Sequence, residues 1–405
     1  GDSGATPHRR YRSAPMKRLL LTLFALALLL TACGGSGQAA TTTAEPTTTT
    51  NSTTTTAVPT TTAPPTTTTS TTTTTTLPPG SPSPLNGLAV ADDALLNRRI
   101  MAIKVDNHPA ARPQSGLQEA DAVIEILVEG GITRFIALFH QSDSAYVGPV
   151  RSVRPTDSTM LAPLGAPLVF SGGQDWIQQL SWSRGVPLIA EGVDGLFRMP
   201  HRTAPHNLYA DTTALREVAD ARGIDDGIDG PLWEIGPWEE DPAETATQID
   251  LDWGLGHHTS WLYRDGLYYR RDDDRPHRWV DRDGETSQIA FEMLVFIEGR
   301  QYWAQPPPDG KSAVPAIDTV GSGPLVIFRH GRVLEGTWER ANFDEPFRLY
   351  DSAGDPITVP PGVPPFGAPS GVPPPSVPSG EEAGSCPPST SFSAAPPGPA
   401  STSRT

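Results

Sequence analysis

A mixed strand-and-helix half followed by a hairpin-rich, all-β half is what the sequence predicts for the globular part of this chain. Three observations carry that reading. Between Pro84 and about Gly362 the composition turns globular, with tryptophans, branched aliphatics and charges interspersed. That stretch is about 280 residues, enough for one large domain or two moderate ones. Within it, short apolar runs end at Gly, Pro, Asn or Asp turns, which is the pattern of strands rather than long helices. Past Gly230 the turn signals become closely spaced and helical periodicity disappears. The boundaries read from this texture are 84–235 for the first part and 236–361 for the second.

What precedes the globular part reads as an address and a tether. Residues 1–15 contain no targeting pattern, and Met16 is the expected true start. Met16-Lys17-Arg18 is basic, 19–30 is an almost uninterrupted apolar run, and Leu30-Thr31-Ala32-Cys33 follows. That run is too short to cross a bilayer, which takes about 20 residues, and has the layout of a cleaved signal. Its ending resembles a lipobox, so 1–33 is expected to be a lipoprotein signal segment with diacylglycerol on Cys33; an ordinary cleaved signal with a chance cysteine is the bland alternative. Such a chain anchors by burying about 0.8 kcal/mol per CH₂ in the membrane. Residues 34–83, threonine-rich above all over 41–79, offer nothing with which to build a core and are expected to be a disordered stalk, with or without sugars. As a flexible coil the threonine tract spans on the order of 35 Å. The expected location is therefore extracytoplasmic, with the cell membrane as partner through the lipid.

Charge and cysteine usage narrow the function classes. The formal net charge is −16, which argues against nucleic acid and against broad contact with anionic headgroups. Only Cys33 and Cys386 are present, so no internal disulfide is expected.

Taken in order, the elements are these. Residues 100–105 form an apolar run ending in the turn Asp106-Asn107-His108-Pro109. Runs at 121–129 and 132–140 flank Gly130-Gly131, a hairpin cue. With the two glycines as the loop, Glu129 pairs with Ile132 and Leu127 with Arg134. Alternation then sets Glu125, Glu129 and Arg134 on one face and Ile124, Ile126, Phe135 and Ala137 on the other. Residues 150–155 read as an extended run after the turn Gly148-Pro149, and 168–170 as a buried strand entering Ser171-Gly172-Gly173. Residues 175–180 open a helix. Residues 211–222 make a clearer one, with Asp211 as cap, apolar Leu215, Val218 and Ala219, and Gly223 as stop. In the second part Trp261-Leu262-Tyr263, Asp265-Gly266 and Leu267-Tyr268-Tyr269 spell a hairpin. Strands are expected at 289–297, 325–328 and 333–338, with His330-Gly331 among the turns.

Several polar motifs sit where these strands end: Lys104-Val105-Asp106-Asn107-His108, Arg112-Pro113-Gln114-Ser115-Gly116, Glu129-Gly130-Gly131-Ile132-Thr133-Arg134, Gly148-Pro149-Val150-Arg151-Ser152-Val153-Arg154 and Arg202-Thr203-Ala204-Pro205-His206-Asn207. Loops on a rigid scaffold are where sites usually form. In this order, with Pro84-Leu85-Asn86-Gly87-Leu88 before them and Gly321-Ser322-Gly323 and Gly336-Thr337-Trp338 after, the motifs resemble those of the YerB-like bacterial lipoproteins, a family with a domain of unknown function. The resemblance spans about 84–361. It implies a two-part α+β protein, a layered sandwich of sheets and helices followed by the β-rich part, in an extracytoplasmic lipoprotein without an established biochemical role. Two departures stand out. The family pattern carries a histidine near Phe170 and a serine near Gln174, and this chain has neither. It also ends in an aromatic strand, whereas 362–405 is rich in proline, serine and glycine, as a disordered tail or a shifted reading frame would be; the last strand of the β part is expected to be missing.

The chemistry open to these motifs follows from residue type. Arg134, Arg151, Arg154 and Arg202 keep their charge and offer planar forks for carboxylate or phosphate, with Asn107 and Asn207 as further donors. An anionic envelope ligand, such as a cell-wall peptide or glycan fragment, is the partner this pattern favours, with Asp106 and Glu129 orienting the arginines. Structural ion pairing of those arginines with Glu125, Glu129 and Asp106 is the competing account, in which the protein is a scaffold. Glu129, His206 and Asp106 are candidates for proton transfer in a hydrolase, although neighbouring arginines disfavour a protonated acid. A metal is not expected, because His201 and His206 lack helical spacing and sit beside prolines, with His257-His258 remote in sequence. No nucleophile elbow, P-loop or dinucleotide fingerprint is present, and no cofactor is expected. Trp253, Trp261, Tyr268 and Trp338 offer faces for stacking on sugars, but such residues are more often plain core in a β domain.

Overall fold

The computed structural model describes residues 80–90, 92–238, 241–253, 257–308 and 312–362. The signal segment, Cys33, the threonine stalk and the tail with Cys386 lie outside the described residues.

A five-stranded mixed sheet organises the first half. Its strands are β1 (Met101–Asp106), β2 (Ala122–Leu127), β3 (Thr133–Phe139), β4 (Leu168–Phe170) and β5 (Leu188–Ala190), in the order β2-β3-β1-β4-β5. β3 runs antiparallel to both β1 and β2, while β1, β4 and β5 are parallel. Parallel neighbours need crossovers, and helices supply them: α1 (Pro155–Leu161) precedes β4, and α2 (Asp175–Ser183) joins β4 to β5. A small hairpin, β6 (Leu196–Arg198) with β7 (Leu208–Ala210), leads into α3 (Thr212–Ala221). Asp211 caps α3 by accepting from the amides of Thr213 and Ala214, as the sequence predicts.

The second half is built from hairpins. β8 (Gln248–Asp252), β9 (His258–Arg264) and β10 (Leu267–Asp272) form one antiparallel sheet. The turn Asp265-Gly266 has φ of 51° and 85°, the doubly positive conformation that a two-residue hairpin demands. A second sheet joins Met293–Ile297, Gly321–Arg329, Arg332–Arg340, Arg348–Asp351 and Pro356–Ile357. His330-Gly331 turns its central hairpin in the same way, with φ of 51° and 72°. The α+β class with a β-rich second half is therefore the observed one.

Both faces of the first sheet are buried, which explains why β1 is apolar almost throughout. Ala102, Ile136 and Leu138 pack with Leu161, Ile177, Leu325 and Trp338 on one face. Met101, Ile103, Val105 and Ala137 pack with Leu215, Ala219, Trp261 and Tyr268 on the other. Residues from the second half thus enter both cores.

Two local expectations need correction. The loop between β2 and β3 has three residues, Glu129-Gly130-Gly131, because both glycines take positive φ (75° and 74°) and the Val128 amide donates to Ile132 O. Leu127 therefore pairs with Thr133 and Ile126 with Arg134. A one-residue slip exchanges the faces of a strand. Arg134 lies on the Ile126 face beside Asp106, while Glu125 and Phe135 share the opposite face, so the expected carboxylate–guanidinium cluster of Glu125 with Arg134 does not form. The second correction is at 150–155. Val150 makes only an isolated bridge with Val105, and Pro155 is the first residue of α1. Proline suits that position because its missing N–H would be unpaired there anyway.

A polar site at the carboxyl ends of the parallel strands

β1, β4 and β5 all point their carboxyl ends to one side, and there the segment 149–153 enters between β1 and β4. The Asp106 amide donates to Pro149 O, the Arg151 amide to Lys104 O and the Ser171 amide to Arg151 O. Strand ends that separate in this way are where open α/β sheets bind ligands. The segment delivers Arg151 and leads into Arg154, the residue that caps α1; β1 delivers Asp106, and β3 delivers Arg134 as its register partner.

Asp106 is fully buried at the centre. Its Oδ1 accepts from the His108 amide at 3.1 Å, and its Oδ2 lies 2.8 Å from His206 Nδ1. Arg151 Nε is 3.1 Å from Oδ2 and Arg134 Nε 3.9 Å from Oδ1. Neither N–H is aligned to donate, so both buried Nε groups lack an acceptor among the described residues. Arg134 instead donates through a terminal nitrogen to Ser152 O at 3.0 Å. Burial and the neighbouring Arg154 lower its pKa to about 10, still a cation at neutral pH. Arg151 has 26% of its side chain exposed, and no described residue accepts from its terminal nitrogens.

Arg154 pairs with Glu129 at 2.8 Å. Burial pushes the Glu129 carboxyl up, but the hydrogen bond and charge of Arg154 outweigh it and leave the pKa below the usual range. Glu129 is thus an anion at neutral pH and a poor general acid. Beneath the site Lys104 and Asp157 form a fully buried pair at 2.7 Å. Burial draws the Lys104 pKa down to about 8 in spite of Asp157. Asp157 also accepts from the Arg154 amide at 2.8 Å, fixing the start of α1.

His206 arrives on the loop between β6 and β7 and stacks on His108 with ring centroids 5.1 Å apart. Arg202 holds that loop down, donating to Ala111 O at 2.6 Å, to Pro113 O at 2.9 Å and to Tyr209 Oη at 2.5 Å. Its fork is spent on the protein. Asn107 is buried and engaged by Thr133, Arg112 and Gln114. Asn207 accepts from Arg198, which clasps Glu191 through two nitrogens at 2.8 Å each. Of the residues singled out in the sequence, Asp106, Arg134, Arg151 and His206 meet around one carboxylate, with Arg154 and Glu129 alongside. Arg202, Asn107 and Asn207 make their contacts elsewhere. Among the described residues no group of three His, Cys, Asp or Glu side chains is placed to hold a metal.

A second ionic cluster, which the motifs alone did not reveal, joins the two halves. Arg270, fully buried, binds Glu125 at 2.6 Å and Asp272 at 2.9 Å and contacts His277. Asp272 also receives Arg112 at 2.8 Å and His257 at 3.1 Å. His277 Nε2 lies 2.7 Å from Gln114 Oε1, and Gln114 Nε2 donates to Asp106 O and Asn107 Oδ1. Burial alone would raise the Asp272 pKa, yet His257, Arg270 and Arg112 bring it far down. Hydrogen bonding to Asp272 raises the His257 pKa, while burial and Arg270 hold His277 well below its ordinary value.

Comparison with known proteins fits this description. A protein from Bacillus subtilis (strain 168) named "Putative lipoprotein YerB" is 30% identical over 271 residues, spanning 64% of this chain and 78% of that protein. The crystal structure of YerB from Bacillus subtilis superposes with a TM-score of 0.59 at 26% identity, covering 70% of this chain and 94% of the other. No helix of the described residues is long and apolar enough to cross a membrane. The family models for the N-terminal and C-terminal domains of the protein of unknown function DUF3048 match residues 85–225 and 249–363, and the chain belongs to that family.

Proposed function

We propose that the carboxyl end of the first sheet binds a small anionic group, a carboxylate or phosphate carried by a cell-envelope component, with Arg134, Arg151 and Arg154 as its ligands. The protein would do so outside the cytoplasm, held to the membrane by lipid on Cys33; likeness to a protein named as a lipoprotein supports that placement. One observation carries the binding reading. Arg151 presents a guanidinium whose terminal nitrogens meet no described acceptor, beside a buried carboxylate that already holds it in place. Four cations, Lys104, Arg134, Arg151 and Arg154, face three carboxylates, Asp106, Glu129 and Asp157, which leaves one positive charge before His206 is counted. In a protein of net charge −16 such a site attracts anions that the remaining surface repels. A planar fork on a fixed carboxylate suits bidentate recognition.

The test is thermal unfolding of the protein against inorganic phosphate, short peptides and muramyl-type carboxylates. A midpoint raised in wild type and unmoved in Arg151→Ala supports the site; no shift with any of these sinks it. A second reading makes the site catalytic, and the 2.8 Å Asp106–His206 contact favours it, since a carboxylate fixes an imidazole for proton transfer. His206→Gln separates the two readings: turnover of a bound envelope fragment would vanish, while simple binding would persist.

A further inference from the structure

We infer that Gln114, with Arg112 beside it, is a positioning residue of the anion site: it fixes the turn Asp106-Asn107 through hydrogen bonds that can run in one direction only, an assignment that rests on the binding reading above. The strand ladder of β1 on β3 ends at the pair Asp106–Arg134, and side chains hold the turn beyond it. Gln114 is fully buried and donates through Nε2 to Asp106 O and to Asn107 Oδ1, both at 3.0 Å. Arg112 donates to Asn107 Oδ1 and to Asn107 O, both at 3.1 Å, while Asp272 meets its charge at 2.8 Å. Asn107 Nδ2 donates onward to Thr133 Oγ1 at 2.7 Å, and the Thr133 hydroxyl donates to Glu125 at 2.5 Å.

A backbone carbonyl only accepts and a guanidinium only donates, so these directions are forced. Asp106 O requires the nitrogen of the Gln114 amide, and Arg112 requires the oxygen of the Asn107 amide. Gln114 Oε1 is then an acceptor, and His277 must meet it with a protonated Nε2, 2.7 Å away. The second half asks for the same tautomer from its own side, since His277 Nδ1 accepts from Arg270. The turn so held carries the Asp106 carboxylate, 2.8 Å from His206 Nδ1 and 3.1 Å from Arg151 Nε. The backbone of the motif ties down the other pieces. Arg202, on the loop that brings His206, donates to Pro113 O at 2.9 Å. The Ser115 amide donates to Gly148 O at 2.9 Å, at the head of the segment that brings Arg151. The Val280 amide of the second half donates to Gln114 O at 2.9 Å. One short motif thus sets the mutual placement of the pieces that meet at the site. A clasp that served only the fold would need these contacts too, but breaking one would cost stability and leave affinity untouched.

The test uses the full chain, inorganic phosphate as the probe and the nitrogen resonances of the imidazoles. Gln114→Met is the direct variant; if it does not fold, Thr133→Val stands in, since it keeps the side-chain shape and removes the acceptor for Asn107. Either should weaken phosphate binding by the folded protein about tenfold, and Thr133→Ser, which restores the hydroxyl, should bring it back. Arg112→Lys keeps a charge for Asp272 but loses the fork, and should weaken binding likewise. In wild type His277 should carry its proton on Nε2. The His206 signals should move in Thr133→Val and return in Thr133→Ser. A His277 protonated on Nδ1 overturns the inference, as do unchanged affinity and unchanged His206 signals in Thr133→Val and Arg112→Lys. A loss that Thr133→Ser does not restore also counts against it, as general destabilisation. Wild type that ignores phosphate removes the anion-site reading instead, and the His206 signals alone then decide whether the motif positions Asp106.

Discussion

The cluster around Asp272 and the cluster around Asp106 use the same residue types and are linked through Gln114, yet they dispose of their donors differently. Around Asp272 the terminal nitrogens of Arg270 are taken by Glu125, Asp272 and His277, and its guanidinium lies 5.3 and 5.6 Å from the Phe135 and Trp261 rings. Its buried Nε also lacks an acceptor among the described residues, but the side chain is fully buried against aromatic carbon. Around Asp106 the central carboxylate is outnumbered, and the partly exposed fork of Arg151 meets no acceptor among the described residues. Closure suits a joint between two halves. An unfilled fork suits a ligand.

That contrast can be broken by mutation. Arg270→Met should give the largest loss, about 3–5 kcal/mol in chemical denaturation, because it takes from Glu125 its cation and leaves Asp272 with only Arg112 and His257 in a buried joint. Binding by the fraction that remains folded should be unchanged. A loss below about 1 kcal/mol would mean that the joint is not where stability resides.

Gly130→Ala comes next and probes the loop that sets which face each cluster occupies. A Cβ at Gly130 meets nothing within 4 Å, so the cost is conformational, about 1–2 kcal/mol for an L residue held at φ of 75°. With a loop of only two residues Arg134 would already lie on the other face in wild type, and the Asp106 contact would be missing before any substitution. Spectroscopically silent destabilisation of that size would uphold the three-residue loop.

This loop also marks where the sequence stopped being informative. β1, β4, α3 and the Asp265-Gly266 hairpin were legible because a local rule fixes each: an apolar run ended by a turn, an acidic cap, a doubly positive turn. The register of β2 on β3 was not, since Gly130-Gly131 permits a loop of two residues or three and only packing decides. Residue α1 positions were misread because Pro155 ends a strand as naturally as it starts a helix; Asp157 two residues on was the signal that could have shown it. Asp106, Arg151 and His206 could be grouped from their motifs. Their separation from Arg202 and Asn107 could not, for hydrogen bonds to backbone carbonyls leave no residue pattern. The Asp272 cluster was beyond reach: His277 meets Gln114 across 163 residues of sequence.

A smaller effect should appear in the pH dependence of the closed joint. The folded pKa of His257 is raised, so its contribution is complete below the unfolded value of about 6.5 and fades as pH rises through the folded value. His277 acts in the opposite sense: its depressed folded pKa gives stability above about 6.5 that is lost as pH falls. The difference in unfolding free energy between wild type and His257→Gln should therefore be largest in mild acid and shrink toward alkaline pH. The reverse trend would mean that His257 is neutral in the folded protein and that Asp272 is held by its arginines alone.

Arg151→Ala should change stability least, by about 0.5 kcal/mol or less, although Arg151 sits on a fully buried carboxylate. Asp106 retains His206, the His108 amide and the nearby Arg134, so removing one partly exposed cation does not strand it. Where the guanidinium donors go decides between the two roles. If they served the fold, as those of Arg270 do, the loss would approach that of Arg270→Met and anions would not shift the midpoint of wild type either. If they are held for a ligand, stability stays near wild type while the anion-induced shift disappears. Denaturation of Arg151→Ala with and without phosphate thus measures both quantities in one protein, and only the second outcome is compatible with an arginine-lined binding site.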